Sequence, residues 1–275
     1  MIENKTPFIK NKMQISDDSF ERLQMLKNEY KDDTAYIISA GPSLRNYNKE
    51  KLKLFLKDKF VIAVKQVYDL LQEVVDIHVL NFDNYKSYTY VNNSNTIVNF
   101  IINKHSQPYY ILRNNIPCDF MLPLTRNHSG HENTIAARKD FDSLDINKSF
   151  ERPWGSGIMY ESAIPLALYG GVSKIITLGW DIGTINPGDE GKVRLKYDHF
   201  YADGKDGHKT EYSNNVIRTE VGGSAGMGYN ETKMVIDSTE DLYRYLKNRN
   251  VELNIVSDRN PAHSSIPRLE IPEIL

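Results

Sequence analysis

The chain has 275 residues, 34 Lys+Arg against 36 Asp+Glu, and one cysteine, Cys118. Its length supplies a core that needs neither disulfides nor a structural metal, the lone cysteine excludes a disulfide framework, and a net charge of −2 gives no global attraction to nucleic acid. No run reaches the roughly 18 apolar residues of a membrane span, and the charged N-terminal stretch does not look like a secretion signal, so the expected location is cytoplasmic.

Residues 1–32 are read as a tail and an amphipathic helix. Phe20, Leu23, Met25, Leu26 and Tyr30 recur at helical spacing behind Ser16-Asp17-Asp18, which can cap a helix start. Ala35-Tyr36-Ile37-Ile38 is a short apolar run that stops at Ser39-Ala40-Gly41-Pro42-Ser43, and Leu44, Tyr47, Leu52, Leu54 and Phe55 then resume in a charged background. That pattern predicts strand, tight turn and helix. Phe60–Val64 and Ile77–Leu80 repeat the short run with a helix from Gln66 to Glu73 between them, the alternation of a parallel sheet. Ile97–Ile102 and Tyr109–Leu112 predict two more strands.

From Pro123 to Pro153 there is little periodicity, and a long loop or small subdomain is expected. Ser156–Tyr169 predicts a helix closed by Gly170-Gly171, followed by a strand at Lys174–Gly179. The stretch after Asp181 is rich in Gly, Asp, Lys and Tyr without a period, and a loop of such length in a compact domain is usually functional. A helix at Ser238–Lys247 and a strand at Glu252–Val256 close the pattern. The expected fold is α/β: a Rossmann-like, mostly parallel sheet flanked by helices. One domain spans 33–265 with loop or lid regions 122–153 and 182–232, followed by a C-terminal tail, 266–275.

In such a sheet, ligands sit beyond the carboxyl ends of the strands. Gly41, Pro42 and Ser43 lie at one of these ends, where glycine permits close approach and a helix start offers N–H groups to a phosphate, although an ordinary strand-to-helix turn uses the same residues. Asn81, with Asp83 close behind, follows the third strand; Asn and Asp are also common turn residues. Trp154-Gly155-Ser156-Gly157 opens a helix, where Ser156 can cap it or touch a ligand, and Gly179-Trp180-Asp181 places a carboxylate at the same sheet edge. His128 and His131 lack a third ligand at a recognisable interval, so no metal site is read. His199 and His208, in the long loop, are chemically suited to general-base work or are plain surface residues. Cys118 has no nucleophile context.

Set in order, Ile37–Leu44, Trp154–Tyr160 running on to Gly170, and Lys174–Asp181 resemble the bacterial lipooligosaccharide sialyltransferases of glycosyltransferase family 42 and the related motility-associated-factor glycosyltransferases. The resemblance implies a GT-A-like sialyltransferase variant of the Rossmann-like fold. Its implied activity is inverting transfer of a sialic-acid-like nonulosonate or Kdo from a CMP donor to a glycan or glycoprotein hydroxyl, as in lipopolysaccharide or capsule synthesis. No cofactor and no metal are implied, and contact with the inner membrane periphery and self-association are left open. Gly41, Pro42, Ser43, Gly155, Ser156 and Gly157 would face the nucleotide, with Asn81 holding the donor.

Some positions depart from the family. Ala40 stands for an Asn, Lys65 or Gln66 for another, and Gly183 for a phosphate-binding tyrosine that Tyr197 or Tyr201 would have to replace. The Met227–Met234 stretch, where the family carries its base histidine, has no His. The base would then be His199, His208 or Asp181, or be missing. Val221-Gly222-Gly223 leans toward the motility-factor branch, which itself resembles a pterin pyrophosphokinase group using ATP and magnesium. Asp83 and Asp181 could hold that magnesium through phosphates. A nucleotide-binding protein without catalysis is the third reading.

Overall fold

Short runs of aliphatic and aromatic residues build the sheet. In the computed structural model, residues 16, 18–81, 97–104, 120–125, 135–150, 152–153, 157–182, 227–257 and 260–275 are described. The strands are β1 (Thr34–Ile38), β2 (Phe60–Val64), β3 (Ile77–Asn81), β4 (Ile97–Lys104), β5 (Phe120–Thr125), β6 (Arg152–Pro153), β7 (Lys174–Leu178) and β8 (Glu252–Val256). Among the described residues they form one eight-stranded sheet in the order β6-β5-β4-β3-β2-β1-β7-β8, parallel at each of its pairings. β2 is buried at every position, as expected for a parallel strand covered on both faces, and this is why the runs read as continuously apolar.

From β1 the chain steps outward strand by strand to β6, then returns to the other flank of β1 with β7. The helix after β1, α2 (Lys49–Leu56), buries Leu52 and Leu56 on one face with Val67 and Leu71 of α3 (Val67–Leu71). The long helix after β7, α6 (Met227–Lys247), buries Leu242 and Leu246 on the other face. The connections from β1 and β7 therefore diverge to opposite faces, the topology that opens a crevice at the carboxyl end of an α/β sheet.

Several expectations change. The N-terminal helix, α1, covers only Ser19–Gln24; Asp18 caps it, its Oδ1 accepting from the amides of Phe20 and Glu21 at 2.7 and 3.1 Å. Leu23 and Leu26 are buried, but the residues beyond α1 leave the helix because they have another task. The amides of Asn28, Tyr30 and Asp32 donate to the carbonyls of Tyr169, Gly170 and Gly171, satisfying acceptors at the end of α5 (Ile164–Tyr169).

Strand β5 falls where a loop was expected from 122 onward. Pro123, which cannot donate to a ladder, hides it in the sequence. The structure tolerates it where the outer neighbour β6 is only two residues long and pairs with Leu124 and Thr125. Two short helical pieces, α4 (Ile135–Arg138) and a turn at Phe141–Leu144, also occupy that stretch. The expected strand Tyr109–Leu112 lies outside the described residues. Helix α6 begins at Met227, before the expected Ser238; Gly228 and the polar run Asn230–Lys233 hide its first turns in the sequence.

The stretch 266–275 packs instead of trailing. Ile266, Ile271 and Ile274 are buried, Arg268 bridges to Ile255 along the β8 edge, and the Asn48 amide donates to the Ile274 carbonyl at 2.9 Å.

The helix expected over 156–169 contains a π-turn at Met159–Ala163 ahead of α5, closed by the Ile164 amide donating to the Met159 carbonyl. Pro165 explains it: lacking an N–H and crowding the preceding turn, it cannot extend a regular α ladder. The helix ends in a Schellman motif, Val172 N–H to Ala167 and Gly171 N–H to Leu168, with Gly171 at φ +86°.

His78 in β3 is fully buried, stacked on Tyr68 at 4.5 Å. Its Nε2 lies 2.8 Å from the Lys65 carbonyl, which can only accept, so Nε2 is the protonated nitrogen. Burial pushes this imidazole down to about 3, against the smaller opposing effect of that hydrogen bond. Because the unfolded chain takes up this proton first, the contribution is complete above about pH 6.5 and is lost as pH falls toward 3. The slope is about 1.4 kcal/mol per pH unit. Denaturant titrations at pH 7 and pH 5 should show the loss, and His78→Phe should remove that part of the slope; an unchanged slope in the variant would contradict the assignment.

Candidate functional site

The ends of β1 and β7 are pressed together at the crevice. The Ser39 amide donates to the Leu178 carbonyl and the Gly41 amide to the Gly179 carbonyl, both at 2.8 Å. A Cβ on Gly41 would lie 2.3 Å from the Gly179 carbonyl oxygen, and one on Gly179 would lie 2.1 Å from the Ser39 oxygen. Both glycines are there for strand-to-strand approach.

Beyond them the chain turns through a 3₁₀ segment, Pro42–Asn46. Ser43 donates twice to Asp181, its amide to Oδ2 at 2.8 Å and its hydroxyl to Oδ1 at 2.7 Å. The Ser257 hydroxyl, just past β8, donates to the same Oδ1 at 2.6 Å. All three residues are buried. One carboxylate thus ties the ends of β1, β7 and β8, with charge-assisted bonds compensating its burial.

This brace changes what the turn can offer a ligand. Gly41 N–H is given to Gly179, Ser43 N–H to Asp181 and Leu44 N–H to Gly41, while Pro42 has none. The phosphate-cradling amides expected between Gly41 and Ser43 are engaged inside the protein because Asp181 supplies the anion. Asp181 in turn spends its oxygens on serines, so its geometry is that of a positioning group.

The Gly157 segment reaches the same place. Gly157 sits at φ +84°, and its carbonyl accepts from Tyr160 and Glu161, both at 3.1 Å. The Ser39 hydroxyl donates to Met159 Sδ at 3.1 Å. The Tyr160 ring meets Trp180 edge-on at 6.3 Å, and its hydroxyl lies 3.0 Å from Ser238 Oγ and 3.3 Å from the Val235 carbonyl. Burial raises the Tyr160 phenol above its ordinary range. Of the segments singled out in the sequence, the Gly41–Ser43 turn, Gly157 with the π-turn behind it, and the Gly179–Asp181 strand end lie around this edge.

Other expected residues are not brought together here. Asn81 ends β3, two strands from β1 and roughly 10 Å away at the usual inter-strand spacing. Gly155, Ser156, Tyr197, Tyr201, His199, His208 and Asp83 lie outside the described residues. Among the described residues, no three His, Cys, Asp or Glu side chains gather as a metal-binding group, and no helix is long and apolar enough to cross a membrane.

Two features escaped the sequence. Ser257 carries no local signal, since a serine after a strand is ordinary. Arg152, fully buried at the start of β6, donates through Nη1 to the Leu144 carbonyl at 3.4 Å. Burial brings its guanidinium down to about 10 while buried Glu161 opposes the shift. Arg152 precedes the Trp154–Gly157 segment, and Glu161 lies on the π-turn that follows it.

The family model described as 6-hydroxymethylpterin diphosphokinase MptE-like matches residues 7–187. The chain belongs to this family. The MptE-like match takes in both glycines, Ser43 and Asp181 and ends before α6, β8 and Ser257. Of the groups that the sequence resembles, it names the pterin diphosphokinase one; the sialyltransferase likeness stays a resemblance. No curated protein matches the chain.

Proposed function

We propose that this MptE-like protein is a nucleotide-dependent transferase that moves a group from a nucleoside-phosphate donor to a hydroxyl at the β1/β7 crevice. The finer reading is glycosyl transfer: a nonulosonate or Kdo passes from CMP to a glycan or protein hydroxyl, with inversion and without a metal. The observation that carries it is the Asp181 brace, which ties the ends of β1, β7 and β8 and commits the strand-end carboxylate to serine donors.

A magnesium ion, which a diphosphokinase would use with ATP, needs carboxylate oxygens of its own besides the phosphates. Asp181, with three donors already on it, does not suit that part among the described residues. Glycosyl transfer makes different demands. The departing CMP phosphate must be stabilised as the sugar becomes oxocarbenium-like, and a base must take the acceptor proton. Gly155, Ser156 and Gly157 at the helix start, with Tyr197 and Tyr201, are the proposed phosphate-facing group. Asn81 is the proposed donor contact and His199 or His208 the base. The second reading, diphosphate transfer from ATP to a hydroxymethyl-bearing pterin, is favoured by the family match.

Transfer assays with a CMP-linked nonulosonate in the presence of chelator test the choice. CMP release is expected, and His199→Ala should slow it by about 10²–10⁴-fold, the range of a lost general base, with CMP affinity nearly unchanged. Full turnover in that variant would remove His199 as the base. AMP formation from ATP and a pterin, only with magnesium, would replace the glycosyl reading.

A further inference from the structure

We infer that the C-terminal stretch from Ser257 onward, a strap, braces the Pro42–Asn46 turn after β1, with Ser257 and Asn260 as positioning residues for the candidate site; the functional half of this inference rests on the proposed binding of a nucleotide beside that turn. The strap lies wholly outside the family-matched residues 7–187. Ser257 shares Asp181 Oδ1 with Ser43, the two hydroxyls at 2.6 and 2.7 Å. Holding Oδ1 from both sides fixes the carboxylate rotamer, and that rotamer aims Oδ2 at the Ser43 amide. The Asn260 side-chain amide donates to the Trp180 carbonyl, the residue before Asp181.

Asn260 is itself held. Its Oδ1 accepts from the Ala262 amide at 2.7 Å, and Arg268 donates to the carbonyls of Asn260, Ala262 and Ile266 at 3.2, 2.8 and 2.6 Å. The strap then joins β8, Ile255 donating to Pro267 and Leu269 to Ile255, and ends at α2 where Asn48 donates to Ile274. Anchored on β8 and on α2, it meets the site-bearing strand end at Trp180 and Asp181. The stretch beyond β8 thus contributes geometry to the crevice.

Amide hydrogen exchange on the full chain, with CMP titrations beside it, tests this. In Ser257→Ala, exchange at the Ser43 amide should accelerate about tenfold, the size of one lost hydrogen bond to a charged group. The Ile37 amide inside β1 should change little, and Ser257→Thr, which keeps the hydroxyl, should restore protection. Asn260→Ala should act in the same direction, and CMP affinity should weaken in parallel with the exchange. Unchanged exchange at Ser43, or equal acceleration at Ser43 and Ile37, would overturn the brace, since the second outcome is plain loss of global stability. If the wild-type chain binds no CMP, the nucleotide reading fails by itself, and the ratio of Ser43 to Ile37 exchange still decides the brace.

Discussion

Gly41→Val is expected to unfold the turn after β1 and to lower stability by about 3 kcal/mol or more, at the upper end of overpacking costs. The cause is steric. Gly41 has an ordinary φ of −67°, so any residue could adopt its backbone, but its Cβ would meet the Gly179 carbonyl at 2.3 Å and Asp181 Oδ2 at 2.5 Å. Neither atom can yield cheaply: one is backbone in the β7 connection, and the other is pinned by Ser43. Gly41→Ala adds the same Cβ and should carry much of the cost, so chemical denaturation of the two variants separates this contact from bulk. A midpoint unchanged in Gly41→Ala would show that β1 and β7 are not pressed together in this way.

Asp181→Ala should cost about 3–5 kcal/mol, because it leaves the Ser43 amide and two buried hydroxyls without their acceptor. Asp181→Asn keeps the shape but offers a single acceptor oxygen, so a smaller loss is expected. Measuring the double variant Asp181→Ala with Ser43→Ala isolates the pair: a coupled pair gives a double loss well below the sum of the singles. Simple additivity would mean that the brace is not a unit. The same variants separate a brace from a reacting group, since a group that takes the acceptor proton would lose turnover in Asp181→Asn without any loss of stability.

The sheet was legible because parallel strands are buried on both faces. Phe60–Val64 and Lys174–Leu178 need no alternation to be recognised, and their Val and Ile content marks them as strands. β5 was illegible because Pro123 argues against a strand unless the neighbouring edge is known to be short. The packing of 266–275 is not legible because Ile266, Ile271 and Ile274 are separated by prolines and follow neither helical nor strand spacing. They fill space left by other elements, which no local pattern encodes.

At the site, Gly41, Ser43, Gly157 and Asp181 could be picked out because strand ends attract ligands and glycines mark close approach. Which of these approaches serves a ligand and which serves another strand could not. The Ser43 amide looks the same in sequence whether its acceptor is a phosphate or Asp181, a residue far along the chain. Ser257 was missed for the same reason, since its meaning lies wholly in a contact across the sheet.

Thermal unfolding of the wild-type chain with CMP, UDP, GDP and ATP, each with and without magnesium, decides whether the protein takes a cytidine nucleotide without a metal. Saturable stabilisation by CMP is expected, about 5–10 °C at a hundredfold excess over Kd, unaffected by chelator. Stabilisation by ATP alone, and only with magnesium, would contradict it.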